Sequence, residues 1–221
     1  MKKDNQKMNK TKSSEELHSN VPPNWYFDSI KKNILQRFWH WRRFIEISKL
    51  TTAVRGTVLD IGSADGVFSN VVFKKTKAKR LIGIDVLKSS VDWANEHWQK
   101  TPMRFLVDDA EDLKFKDETF GAVFALEMLE HVYDPVKVLN EIKRVMKKGG
   151  YGVFLVPTDS WLFRVIWWVW LKFRGKIWKE THLQTYRNNH LPKICKNVGF
   201  EVVVNKKFIL GMLQAVKVKK R

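Results

Sequence analysis

Three acidic positions close three successive apolar runs, and small residues follow each of them. The first is Asp60, in Val58-Leu59-Asp60-Ile61-Gly62-Ser63-Ala64-Asp65-Gly66. Glycines just past the end of a first strand let a ligand approach the backbone where a Cβ would obstruct it. The second is Asp85, in Leu81-Ile82-Gly83-Ile84-Asp85-Val86, nineteen residues beyond Gly66. A carboxylate at the end of a second strand is placed to accept both hydroxyls of a ribose. The third acidic position lies in Val107-Asp108-Asp109-Ala110-Glu111-Asp112-Leu113, where acceptors beside small residues suit an adenine edge. A lone aspartate at a strand end is commonly just a helix cap. Three in order, at three successive strand ends, read instead as a nucleoside pocket. The dinucleotide fingerprint is not met, because Ala64 and Val67 stand where its later glycines belong. Asp60 in the crevice would also repel a pyrophosphate, whereas it suits a cationic ligand.

The surrounding pattern supplies strands and helices in alternation. Residues 57–61, 80–86, 103–107, 119–126 and 151–156 read as strands, with helices from Gly66 to about Lys75 and from Ser89 to about Gln99. Ser89 is expected to cap the second of these, with Asp92 as its capping-box partner. Asp134-Pro135 is a helix start, cap followed by proline at the first turn. Its helix shows Val136, Leu139, Ile142 and Val145 on one face and stops at Lys147, Lys148 and Gly149-Gly150. Residues 186–198 read as a last helix, and 200–204 and 212–218 as a closing hairpin. Before all of these, residues 28–50 place Ile30, Ile34, Phe38, Trp41 and Ile45 on one helix face. The fold class expected is α/β, Rossmann-like and doubly wound. Its mostly parallel seven-stranded sheet would carry helices on both faces and an antiparallel edge hairpin.

From 58 to 157 the chain resembles the class I S-adenosylmethionine-dependent methyltransferases, in the methyltransferase type 11 subgroup that includes quinone-biosynthesis enzymes. The most specific stretch is Ala125-Leu126-Glu127-Met128-Leu129-Glu130-His131-Val132, with Asp134-Pro135 and Lys147-Lys148-Gly149-Gly150 after it. The resemblance implies S-adenosyl-L-methionine as cofactor. It implies that Asp60, Gly62 and Gly66 hold the methionine part, Asp85 the ribose, and Asp109 and Ala110 the adenine. Ser63 and Val86 complete that set, and Leu126 and Glu127 line the pocket beside the methyl. Ser63 and Ala64 depart from the subgroup, which usually has cysteine and glycine there.

A sulfonium methyl is already activated, so methyl transfer by in-line displacement needs mainly alignment and exclusion of water. An oxygen nucleophile also needs its proton removed by a base or a metal. Glu127, His131 and His182 are the candidates for that work. In some relatives the E-x-x-E-H spacing of Glu127, Glu130 and His131 is associated with a divalent metal. Glu130 and His131 could equally cap and pack against the next helix, so no metal is assigned. His182 could face substrate or lie in a surface loop, and His40, among aromatics, reads as a packing histidine.

The chain has 221 residues and a net charge of +18, divided unevenly. Residues 1–50 carry +6, residues 51–150 carry +1 and residues 151–221 carry +11. Cationic flanks suit nucleic acid, an anionic membrane surface or phosphorylated substrates, or are simply a solvated surface. The single cysteine, Cys195, excludes an internal disulfide and fits a reducing, cytoplasmic setting. No signal peptide is expected. The most apolar run, Trp161–Phe173, reaches about 20 Å as a helix, too short to span a bilayer.

Residues 1–23 are expected to be a disordered basic tail and 24–221 a single methyltransferase domain. Within it lie an N-terminal helix (24–50), a cofactor-binding core (51–157), a Trp-rich insert (158–185) and a closing helix and hairpin (186–221). Five of the ten tryptophans fall between Trp161 and Trp178, which points to an apolar or amphiphilic small acceptor and peripheral contact with an anionic membrane. An RNA methyltransferase using the basic flanks is a second reading, although no N-P-P-Y-like motif follows the fourth strand. A non-catalytic cofactor-binding module is a third.

Overall fold

The structure, a computed structural model, describes residue 16 and residues 20–173 and 183–221. Two helices open it, α1 (Trp25–Lys32) and α2 (Ile34–Leu50), followed by β1 (Thr57–Ile61), α3 (Val67–Thr76), β2 (Arg80–Asp85) and α4 (Lys88–His97). Next come β3 (Met103–Val107), β4 (Phe120–Leu126), a single 3-10 turn (Leu129–His131) and α5 (Pro135–Val145). The chain closes with β5 (Met146–Pro157), α6 (Trp161–Phe173), α7 (His190–Asn197), β6 (Glu201–Phe208) and β7 (Leu213–Lys219). The seven strands run in the order β3-β2-β1-β4-β5-β7-β6. β1 to β5 are parallel, and β7 inserts antiparallel between β5 and β6.

Side chains alternate across this sheet, so each face buries its own apolar layer. On one face Leu59, Ile61, Val123, Ala125, Phe154 and Val156 pack against Leu139 and Ile142 of α5 and Leu191 and Ile194 of α7. On the other, Val58, Leu81, Ala122, Phe124, Val153 and Leu155 meet Ile47 of α2, Val72 of α3 and Val91 of α4. Strand order reverses between β1 and β4. The crevice at their carboxyl ends is where open α/β sheets take ligands.

Several local expectations are corrected. The first helix is two helices, because Asn33 is extended (φ −136°, ψ 117°) and its side chain caps α2 through Leu35 N and Gln36 N. Ile34, Phe38 and Trp41 lie on the exposed face of α2, while His40, Arg43, Glu46, Ile47 and Leu50 are buried. Ser89 is not a cap: α4 begins at Lys88, and Asp92 pairs with Lys88 Nζ at 2.6 Å. Asp134 does cap α5, accepting from Val136 N and Lys137 N, but Val136 itself is exposed and Val138 takes its place inside. After Val145 the backbone extends directly into β5, so the Lys147-Lys148-Gly149-Gly150 stretch is strand rather than helix end. α7 starts only at His190. The preceding backbone is held out of a helix by long-range bonds, Leu183 N and Gln184 N to Glu130 O and Tyr186 N to Asp159 Oδ2.

Candidate functional site

A cavity enclosing about 860 Å³, part of it open to solvent, lies at the carboxyl ends of β1 to β4. Of the residues singled out in the sequence, Gly62, Asp85, Val86, Asp109, Ala110, Glu127 and His131 line it. Asp85 is half-buried, and its oxygens accept from Leu87 N and Ala64 N, each at 2.9 Å. The carboxylate thereby ties the turn after β1 to the turn after β2. Ile84, Val86, Ala110 and Val132 give the cavity apolar walls. Asp109 is exposed at the rim, and its Oδ1 accepts from Glu111 N at 2.8 Å.

Four of the sequence candidates do not reach the cavity wall. Asp60 is 1% exposed and accepts from Ser69 Oγ at 2.6 Å. Burial, reinforced by the charge of Asp85, pushes its carboxyl up to about 7. Ser63 is buried under β2, and Leu126 faces the layer on the α2 side. Gly66 is the N-cap of α3, with φ 75°. The glycines also serve a different purpose from the one their position suggested. A Cβ on Gly62 would lie 2.6 Å from Met128 Cβ, and one on Gly66 would lie 2.7 Å from Phe105 and Trp98. The room they leave is filled by the chain itself, although Gly62 still presents backbone to the cavity.

A second cavity, enclosing about 1060 Å³, adjoins the first. Trp25, Tyr26, Glu127 and His131 line both. Its other walls are mostly apolar, from Leu35 and Trp39 of α2, Pro157 and Leu213, and Phe163, Ile166 and Trp167 of α6. The roof over the junction is α1, pinned by Asp65. That residue accepts from Phe27 N at 2.8 Å and from Val67 N at 3.2 Å, and is 1% exposed. Burial pushes the Asp65 carboxyl up to about 6. Residues 21–23, expected to belong to the tail, line the first cavity.

Sequence reasoning missed the polar chain beneath this roof. Glu127 has a left-handed backbone (φ 56°), a conformation that a non-glycine residue adopts only when its surroundings impose it. Its carboxylate meets Arg43 of α2, whose side chain is 3% exposed. Arg43 also bonds His40 Nδ1 and lies 4.9 Å from the centre of the Phe68 ring. A guanidinium only donates, so Nδ1 accepts, and Nε2 carries the proton that faces Ser29 Oγ at 3.2 Å. Burial and the neighbouring guanidinium hold the His40 pKa down at about 2, so the ring is neutral. No signal in the sequence marked Arg43, since it stands among apolar residues whose own face turned out to be exposed.

The Glu127, Glu130 and His131 set does not gather for a metal. All three line the second cavity, but Glu127 is committed to Arg43. Among the described residues no group of three or more His, Cys, Asp or Glu side chains could hold an ion. The cap of the next helix is Asp134, not Glu130 or His131. His182 lies outside the described residues. Glu130 is 2% exposed, its Oε2 has no hydrogen-bond partner, and burial pushes its carboxyl up to about 8.

An acid whose folded pKa is raised binds its proton more tightly in the native state. The stability it contributes therefore falls as pH rises from about 4.5 to about 8 and is level above that. Glu130→Gln cannot titrate. Its Tm relative to the parent should be at least roughly 2–4 °C more favourable at pH 8.5 than at pH 4.5 by calorimetry. An offset that does not change with pH would contradict the burial argument.

Residues 59–154 match the family described as "Methyltransferase domain". The chain is 31% identical over 118 residues to the ubiquinone/menaquinone biosynthesis C-methyltransferase of Desulfotalea psychrophila, covering 53% of this chain and 48% of that one. It is 30% identical over 115 residues to the ubiquinone biosynthesis O-methyltransferase of Aliivibrio fischeri, covering 49% and 48%. The chain thus spans about half the length of these curated relatives. Among solved structures, a SAM-dependent methyltransferase from Aquifex aeolicus superposes with a TM-score of 0.60 at 20% identity, over 80% of this chain and 87% of that one. At that identity the likeness speaks for the fold. The matched segment, less than half of the chain, carries the strand-end pocket and is similar to the methyltransferase domain of that family, on a fold shared with S-adenosylmethionine-dependent methyltransferases.

Proposed function

We propose that the chain transfers a methyl group from S-adenosylmethionine, held in the first cavity, to a small apolar or amphiphilic acceptor in the second. The observation that carries this reading is the shared wall: Trp25, Tyr26, Glu127 and His131 face both cavities. The residues of the first cavity fit the cofactor. Asp85 offers a half-buried carboxylate for a ribose diol, and Ala110, Val86 and Val132 give a purine apolar walls. Asp85, Asp108 and Asp109 set negative charge along the wall, which complements a cation. Bound there, the cofactor supplies an activated methyl on a sulfonium.

The protein's part is then alignment and dryness. Trp25 and Tyr26 cover the junction and exclude water, and Asp65 keeps their helix in place. Arg43 neutralises Glu127, so that carboxylate orients the wall rather than acting as a base. For an oxygen nucleophile, His131 is the group in the shared wall to receive the proton on an imidazole nitrogen. The apolar walls of the second cavity, four of them tryptophan, phenylalanine or leucine on α2 and α6, favour an acceptor with an apolar body.

Incubation with methyl-labelled S-adenosylmethionine and a fractionated cell extract tests the reading. Label should enter a small molecule of the organic phase. Label confined to RNA, or none transferred by protein that binds the cofactor, would contradict it.

A further inference from the structure

The outer face of α2 is apolar where a surface helix should be polar. Ile34, Leu35, Phe38 and Trp41 recur along it and are 53–77% exposed, while the polar residues His40, Arg43 and Glu46 point inward. Over residues 34–46 the helix is inside out relative to a soluble amphipathic helix, while Ile47 and Leu50 at its end are buried. A second stripe of the same kind runs along α6, with Trp161, Val165, Ile166 and Trp168 exposed. Leu35 and Ile166, one from each stripe, also line the second cavity, so both stripes border its mouth. Soluble proteins rarely expose this many large apolar side chains around one opening without a binding purpose.

The charges beside the stripes are of one sign. Lys31, Lys32 and Arg37 are exposed at the start of the stripe on α1 and α2, and Arg164 and Lys172 are exposed on α6. The acids of α1, α2 and α6 are Asp28, paired with Lys32 at 2.6 Å, and Glu46, buried between Lys49 and Lys206. Lys172 Nζ lies 3.6 Å over the Trp168 ring, cation and aromatic together at the rim. Tryptophan and aliphatic side chains flanked by cations match the interface of an anionic bilayer. A nucleic acid would use the cations and stack on the tryptophans, but it has no use for Ile34, Leu35, Val165 and Ile166.

We propose that the exposed faces of α2 and α6 dock on an anionic lipid bilayer, so that an acceptor dissolved in the lipid enters the second cavity directly. From the proposed function this takes only that the second cavity receives an apolar acceptor. No helix among the described residues is long and apolar enough to cross a membrane, so the contact is a surface one.

Vesicle flotation of the full chain decides it, using phosphatidylcholine vesicles with and without about 30% phosphatidylglycerol. The protein should float with the anionic vesicles at low salt and markedly less without the anionic lipid. Phe38→Glu with Trp41→Glu should lower partitioning at least about tenfold. Arg37→Gln with Arg164→Gln should lower it about 10–30-fold and reduce its salt dependence. The substituted side chains are exposed, and circular dichroism checks that each variant is folded. Failure to float with anionic vesicles at low salt overturns the proposal, as does floating unchanged by both variants. A stable self-dimer that the Phe38 and Trp41 changes dissolve, or RNA that displaces the vesicles at equal charge, overturns it as well. Calorimetric binding of S-adenosylmethionine, measured in parallel, separates the outcomes: an unsubstituted protein that binds the cofactor but no vesicles refutes the docking face alone.

Discussion

Replacing Arg43 by methionine should lower the stability of the protein by about 3–5 kcal/mol, a fall in Tm of roughly 6–20 °C. The guanidinium is 3% exposed and the Glu127 side chain 16%, so water cannot take over the pairing when one partner is removed. The change would leave the Glu127 carboxylate at the junction of the two cavities without its cation. His40 Nδ1 would lose its donor, and the Phe68 ring its guanidinium. The cost therefore comes from what is stranded, more than from what the ion pair is worth against an apolar pair of the same shape. Adding Glu127→Gln to Arg43→Met should recover a large part of the loss, because the stranded charge is then gone. Urea unfolding of the two single variants and the double variant measures this as a coupling energy. A single-variant cost below about 1 kcal/mol, as for an exposed ion pair, would contradict the buried pairing.

The second large effect is on cofactor affinity. Asp85 is the carboxylate that closes the first cavity against the turns after β1 and β2, and it is the residue offered to a ribose. Asp85→Ala should weaken S-adenosylmethionine binding about 10–150-fold by calorimetry, the range of hydrogen bonds to a charged group. Part of that loss is indirect, since Ala64 N and Leu87 N lose their acceptor and the loops loosen. Asp109→Asn separates the two contributions. Asp109 is exposed at the rim and its Oδ1 holds only its own turn, so this change should cost less than about tenfold. A folded Asp85→Ala protein with unaltered affinity would refute the assignment of the cavity.

Residues 57–61 and 103–107 were legible as strands because their apolar runs are short, β-branched or aromatic, and bounded by turn residues. The Asp134-Pro135 start was legible because a cap acts on its own helix within three residues. One failure is local: Asp85 accepts from Leu87 N, and α4 begins at Lys88, ahead of Ser89. The others share a cause, which is a partner far away in sequence. Tyr186 OH bonds Leu129 O at 2.9 Å, and with Asp159 it keeps the segment before α7 extended. α2 is the clearest case. Its apolar spacing is helical, and that much holds, but which face turns inward is decided by Glu127, 84 positions from its partner Arg43, and by the aromatic ring of Phe68.

The site divides along the same line. Asp85, Val86, Asp109 and Ala110 line the first cavity because strand-end residues face the crevice by topology alone. Asp60 was misplaced by the same argument, since its side chain turns to Ser69 instead. Trp25 and Tyr26 gave no signal, because a roof contributed by a preceding helix has no fixed spacing from the strands it covers. The charge of +18 likewise gains an address: part of it flanks the apolar faces of α2 and α6, away from the acid-lined first cavity.

Amide hydrogen exchange with and without S-adenosylhomocysteine tests the central claim most directly, because it reads the location of the nucleoside without any substitution. Binding should slow exchange at 62–67, 85–90, 109–112 and 127–132, the four segments around the first cavity. The same measurement should leave the β6–β7 hairpin unchanged. Protection absent from those four segments, or centred on the hairpin or on α7, would contradict the placement of the cofactor.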